Sequence, residues 1–157
     1  MKMAVRAMLG ALATLALASP SFAATVAPTS YPFTLKGGGN VVQGSNIWAC
    51  GWTWQAQTTS STGGTISGGV GDTNPNCGQL SVPATTWSAT SATTGVLHGF
   101  SIIGGNLNSC STSQDVPFTI MKSGNNATSF FFNSVNFGPS CNYNANLNTG
   151  AALTVTP

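Results

Sequence analysis

The chain has 157 residues, of which 4% are charged, 41% hydrophobic and 9% aromatic. So few charges leave no basic footprint for nucleic acid or for an anionic membrane surface. The aromatic content also separates the chain from disordered sequences, which combine high net charge with few aromatics. The formal net charge of +2 belongs to Lys2 and Arg6 at the start, since Lys36 and Lys122 balance Asp72 and Asp115, and Glu is absent.

Lys2 and Arg6 form a basic start, residues 7–18 (AMLGALATLALA) carry no charge, and Ser21 and Ala23 place small residues before Ala24. These are the three parts of a secretory signal, cut before Ala24. The apolar stretch is too short to span a bilayer, which takes roughly 20 residues. No Cys follows the cleavage region as a lipoprotein would require, and nothing beyond Ala24 is long and apolar enough to cross a membrane. The expectation is a signal peptide over 1–23 and one secreted domain over 24–157, extracellular or held at the cell surface. In a Gram-negative host its route runs through the periplasm. Removing 23 of 157 residues leaves 134, enough for a single domain with a core.

Past the signal, short alternating runs replace helical periodicity. Tyr31, Phe33 and Leu35 alternate with Pro32, Thr34 and Lys36, and Val41–Val42 follows. The clearest strand is 48–56, with Trp48, Cys50, Trp52, Trp54 and Ala56 on one face. Weaker strands are expected over 65–70, 81–90, 96–103 and 128–137. Val116, Phe118 and Ile120 alternate with Pro117, Thr119 and Met121, while Leu153 and Val155 mark a closing strand. Turns are expected at Gly37-Gly38-Gly39-Asn40, Gly63-Gly64, Gly104-Gly105-Asn106 and Gly124-Asn125-Asn126, with a longer loop over 72–78. Many short strands with such turns predict an all-β fold, an antiparallel β-sandwich of Ig-like or jelly-roll-like type. A loose two-fold echo runs through it, each half holding strands, a Cys, a Gly-rich stretch and a second Cys.

Cys50, Cys77, Cys110 and Cys141 are an even set in an exported chain, which reads as two disulfides. Metal sites prefer C-x-x-C pairs, and no such pair occurs here. Three pairings are open. Cys50–Cys77 with Cys110–Cys141 is preferred because each bridge closes a loop within one half of the chain. Each would contribute about 3–4 kcal/mol in the chain-entropy description.

Catalytic apparatus is not legible. His98 is the only His, in an apolar run beside Phe100 and Ile102. No G-x-S-x-G elbow occurs, and Asp72 and Asp115 would have to supply both carboxylates of a glycosidase. Asp72 sits in a turn, the ordinary place for a capping Asp. A triad of His98, Asp115 and some Ser is nominated by nothing in the sequence. The expectation is a non-enzymatic protein with no catalytic residues, no metal and no cofactor. Asn126-Ala127-Thr128 matches a glycosylation sequon.

Two features bear on binding. Trp48, Trp52 and Trp54 form an aromatic face that is either a sugar-stacking platform or, given their alternation with Cys50, core. Phe130, Phe131 and Phe132 are consecutive, so a strand must send them to opposite faces. Either a second layer covers the odd ring or an apolar spot is exposed for adsorption or assembly.

The order of parts resembles the PraB-type alkane oxidation protein activators, a family of small exported bacterial proteins. The resemblance rests on Tyr31-Pro32-Phe33-Thr34, on Trp48-Ala49-Cys50, and on Cys77 leading through CGQLSVPATTW to Trp87. It continues through Cys110 and from Cys141-Asn142-Tyr143 to GAALTVTP. The resemblance implies a secreted accessory protein that promotes use of long-chain alkanes, with hydrophobic surfaces or hydrocarbon droplets as its partners. The near-zero charge after Ala24 also favours self-association. Two alternatives stand beside this reading. One is a structural subunit of an extracellular fibre, pairing through open sheet edges. The other is a carbohydrate-binding module or adhesin using the tryptophan face.

Overall fold

Alternation becomes strand throughout the computed structural model, which describes residues 24–72, 75–108 and 110–157. The signal expected over 1–23 lies outside the described residues. Among the described residues, ten strands follow in chain order: β1 (Thr25–Ala27), β2 (Pro32–Gln43), β3 (Asn46–Ser60), β4 (Gly63–Gly71), β5 (Ser81–Val82), β6 (Thr85–Ala89), β7 (Thr94–Ser101), β8 (Ser111–Ser123), β9 (Asn126–Asn136) and β10 (Cys141–Thr156). All pairings between them are antiparallel.

The arrangement corrects the expected sandwich. The long strands pair in sequence order, β2-β3-β4-β6-β7-β8-β9, and β10 pairs with both β9 and β2. Eight strands therefore close into an up-and-down barrel, with β1 and β5 as short additions to β10 and β4. A sandwich and a closed barrel of this size impose the same period-2 burial on each strand. The difference lies in the seam, where Tyr143 sits opposite Val41 of β2 and Val135 of β9. No local pattern encodes that double pairing. Closure also takes the long strands out of the free edges that edge-to-edge fibre pairing requires, leaving only β1 and β5 off the ring.

The seam explains one misplaced turn. Gly37–Asn40 lies inside β2, not at a turn, and pairs with Leu147 to Asn144 of β10. A Cβ on Gly37 would fall 1.9 Å from the Asn146 carbonyl oxygen, and one on Gly39 would fall 2.4 Å from Ala145 Cβ. Glycine is needed here for close strand approach, as at a barrel corner. The β2–β3 reversal instead falls at Gly44-Ser45, where Gly44 takes φ +59°.

Both barrel ends are covered. At one, β1 lies along the tail of β10 and the Val26 amide donates to the Ser61 carbonyl of the β3–β4 turn, burying Ala24 and Val26. At the other, the loops following β4 and β7 bring in Leu80 and Ile102 and are stapled by Cys50–Cys77 and Cys110–Cys141.

The interior is filled by rings. Trp54 lies against Phe100, Phe132 and Tyr143 with centroids 5.7–5.9 Å apart. Phe130 sits between Phe118 at 4.5 Å and Trp87 at 5.3 Å. Such pairs contribute about 0.5–1.5 kcal/mol each beyond the area they bury. This packing has a cost. Among the described residues, the indole nitrogens of Trp52, Trp54 and Trp87 and the Tyr143 hydroxyl are buried without a hydrogen-bond partner. Burial pushes the Tyr143 hydroxyl well above the ordinary tyrosine range.

Candidate functional site on the outer barrel wall

Strand parity decides which side chains reach solvent. Trp52 and Trp54 are 1% and 0% exposed, and Trp48 is half-buried against the same core. Trp52 and Trp54 thus lie within the barrel, out of reach of a stacking sugar, while Trp48 keeps part of its ring exposed. Phe130 and Phe132 are fully buried, whereas Phe131 lies on the outer wall, half-buried. A barrel has no second layer to cover it.

What surrounds Phe131 is a shallow groove of about 250 Å³ across β7, β8 and β9, walled by Val96, Pro117, Phe131 and Val135 with Thr94 and Thr119. The register accounts for the grouping. Val96 faces Pro117, Thr94 faces Thr119, and Thr119 faces Phe131. Outward positions elsewhere are mostly Thr, Ser, Asn and Gln. In β10, for instance, Asn142, Asn144, Asn146 and Asn148 alternate with the inward Tyr143, Ala145 and Leu147.

Beside the groove, β6, β7 and β8 assemble a polar row. His98 of β7 faces Thr86 of β6 on one side and Asp115 of β8 on the other. Its Nδ1 lies 2.9 Å from Asp115 Oδ1, and its Nε2 meets the Ser88 hydroxyl. The carboxylate can only accept, so Nδ1 carries a proton. In the neutral imidazole Nε2 is then an acceptor, and the Ser88 hydroxyl donates to it. Ser88 escaped the sequence reading because the constellation depends on register. Ser88 faces Val96, two positions from His98, a relation visible only once the β6–β7 hairpin is aligned.

The other predicted residues fall elsewhere. Asp72 caps the end of β4, its Oδ2 accepting from the Gly51 amide at 3.0 Å, and so is far from forming a carboxylate pair with Asp115. Asn126 of the sequon is exposed at the start of β9. Among the described residues, no three His, Cys, Asp or Glu side chains are grouped as metal ligands, and no helix is long and apolar enough to cross a membrane.

The chain matches a family described as "Alkane oxidation protein activator PraA/PraB-like" over residues 1–157. No curated protein and no solved structure matches it.

Proposed function

Because the chain belongs to the PraA/PraB-like alkane oxidation protein activators, we propose that it is a secreted accessory protein of long-chain alkane utilisation, acting at the oil–water or cell-surface interface. The observation that carries this reading is the groove of Val96, Pro117, Phe131 and Val135. It gathers four apolar side chains side by side on a wall that elsewhere carries mostly hydroxyls and amides, with other exposed apolar residues such as Ile47, Val70 and Met121 outside it. Apolar area removed from water contributes about 25 cal/mol per Å², so such a strip favours contact with alkyl chains without any charge. The low charge of the domain removes the repulsion that opposes adsorption.

The distribution of apolar groups supports a water-facing barrel. A membrane-spanning barrel turns an apolar band outward and a polar lining inward, whereas here the rings fill the interior and strand faces such as that of β10 turn Asn outward, with exposed apolar side chains such as Ile47, Val70 and Met121. The two disulfides accord with an oxidising compartment and tie down one end of the barrel, which opposes unfolding at an interface.

The test is growth on a long-chain alkane with and without the gene, adding purified protein from Ala24 onward back to the deletion strain. The expected result is a growth lag on alkane alone that the added protein cures. Normal growth of the deletion strain on alkane would contradict the proposal.

A further inference from the structure

The outer wall carries a hydrogen-bond relay that the accessory role does not use. We infer that Ser88 is a nucleophile that accepts the acyl group of medium-chain esters, with His98 as its general base and Asp115 as the residue that positions His98. The inference stands on the relay and is independent of any action at interfaces.

Three observations carry it. The atoms are connected in the order that acyl transfer needs: carboxylate to Nδ1, and Nε2 to a serine hydroxyl. The tautomer is fixed by the carboxylate, so the lone pair on Nε2 points at the hydroxyl proton. The apolar groove lies one strand away from the serine: Val96, the residue facing Ser88, is one of its walls. From Ser88 on β6 to Phe131 on β9 the wall crosses three strand spacings of about 4.8 Å each. That span lets an acyl chain lie over Val96 and Pro117 while its carbonyl carbon meets Ser88 Oγ.

The step balances without a further reactant. Ser88 Oγ adds to the carbonyl carbon as its proton passes to His98 Nε2. The bond from that carbon to the alcohol oxygen then breaks, and the departing alkoxide takes the proton from His98. Water repeats the sequence on the acyl-serine and releases the acid.

The site also sets a limit on speed. Ser88 is paired on both sides, with Gly63 and Val96, so the ladder takes up its backbone N–H. Loss of one oxyanion donor costs other acyl-transfer sites about 10²–10³-fold in rate. His98 and Asp115 are 42% and 59% exposed, which weakens their coupling through water screening. The reaction expected is therefore slow acylation by an activated ester, with accumulation of the acyl-serine.

The experiment incubates the purified chain with p-nitrophenyl octanoate and follows intact mass and peptide mass over time. One octanoyl group on Ser88 is expected. Ser88→Ala should abolish it, and His98→Gln should slow it about 10²-fold, the lower range for a general base. Asp115→Asn should slow it about tenfold, with partial recovery in Asp115→Glu, which keeps an acceptor for Nδ1. All four substitutions lie on the outer wall, and urea midpoints equal to that of the parent verify that the barrel persists. p-Nitrophenyl acetate should acylate Ser88 about tenfold more slowly than the octanoate, since it leaves the groove unfilled. No adduct, an adduct formed equally in Ser88→Ala, or an unchanged rate in His98→Gln would overturn the inference. Equal rates for the two esters would remove the groove from it.

Discussion

Phe131 and Phe132 are the same side chain one position apart, yet they belong to different parts of the molecule. Phe132 is fully buried between Trp54, Phe118 and Tyr143, while Phe131 lies on the outer wall in a shallow groove. Strand parity alone separates them. The difference teaches that in a closed barrel of one layer every strand has an inside that specifies stability and an outside free to specify function.

The largest effect lies inside the barrel. Phe132→Ala removes a ring from four aromatic neighbours, Trp54, Phe100, Phe118 and Tyr143, and should cost about 3–5 kcal/mol, read as a large drop in the urea midpoint. Next in size is the staple at the barrel end. Replacing Cys50 and Cys77 together with Ser should cost about 3 kcal/mol, again by urea unfolding, without changing parity anywhere.

Inside the barrel one substitution should stabilise instead. The buried Tyr143 hydroxyl has no partner among the described residues, so Tyr143→Phe should stabilise the barrel by about 1 kcal/mol. Burial raises this hydroxyl's pKa in the folded chain. The unfolded chain releases the proton near pH 10, so above that pH the folded state binds more protons and stability falls as pH rises. The contribution is complete below about pH 10 and disappears progressively above it. Tyr143→Phe should flatten the decline, as followed by denaturant unfolding at pH 9 and 11. The smallest effect on stability belongs outside: Phe131→Ser should change it by about 1 kcal/mol or less, yet it removes the main ring of the groove.

The residues show how much of this was legible. The alternation of Trp48 to Ala56 placed β3 because each apolar side chain falls on every second position. The same logic was present in β10, where Tyr143, Ala145 and Leu147 alternate with asparagines, but Asn also signals turns, and only the final Leu153 and Val155 stood out. Glycines misled in a similar way. Gly37 to Gly39 read as a turn because glycine permits one, whereas here it serves close strand approach at the seam. Closure into a barrel was not legible at all, because it depends on β10 pairing at once with β2 and β9. Ser88 stayed hidden for the same kind of reason. His98 and Asp115 were visible as the chain's lone imidazole and one of two carboxylates, but their common serine is chosen by inter-strand register.

Pendant-drop tension at a hexadecane–water interface separates the parent chain from Ala24 onward from Phe131→Ser at equal concentration. The account predicts that the parent lowers the tension and that Phe131→Ser, with its fold and urea midpoint essentially retained, lowers it substantially less. Equal tension curves for the two proteins would contradict the assignment of interfacial action to the outer groove.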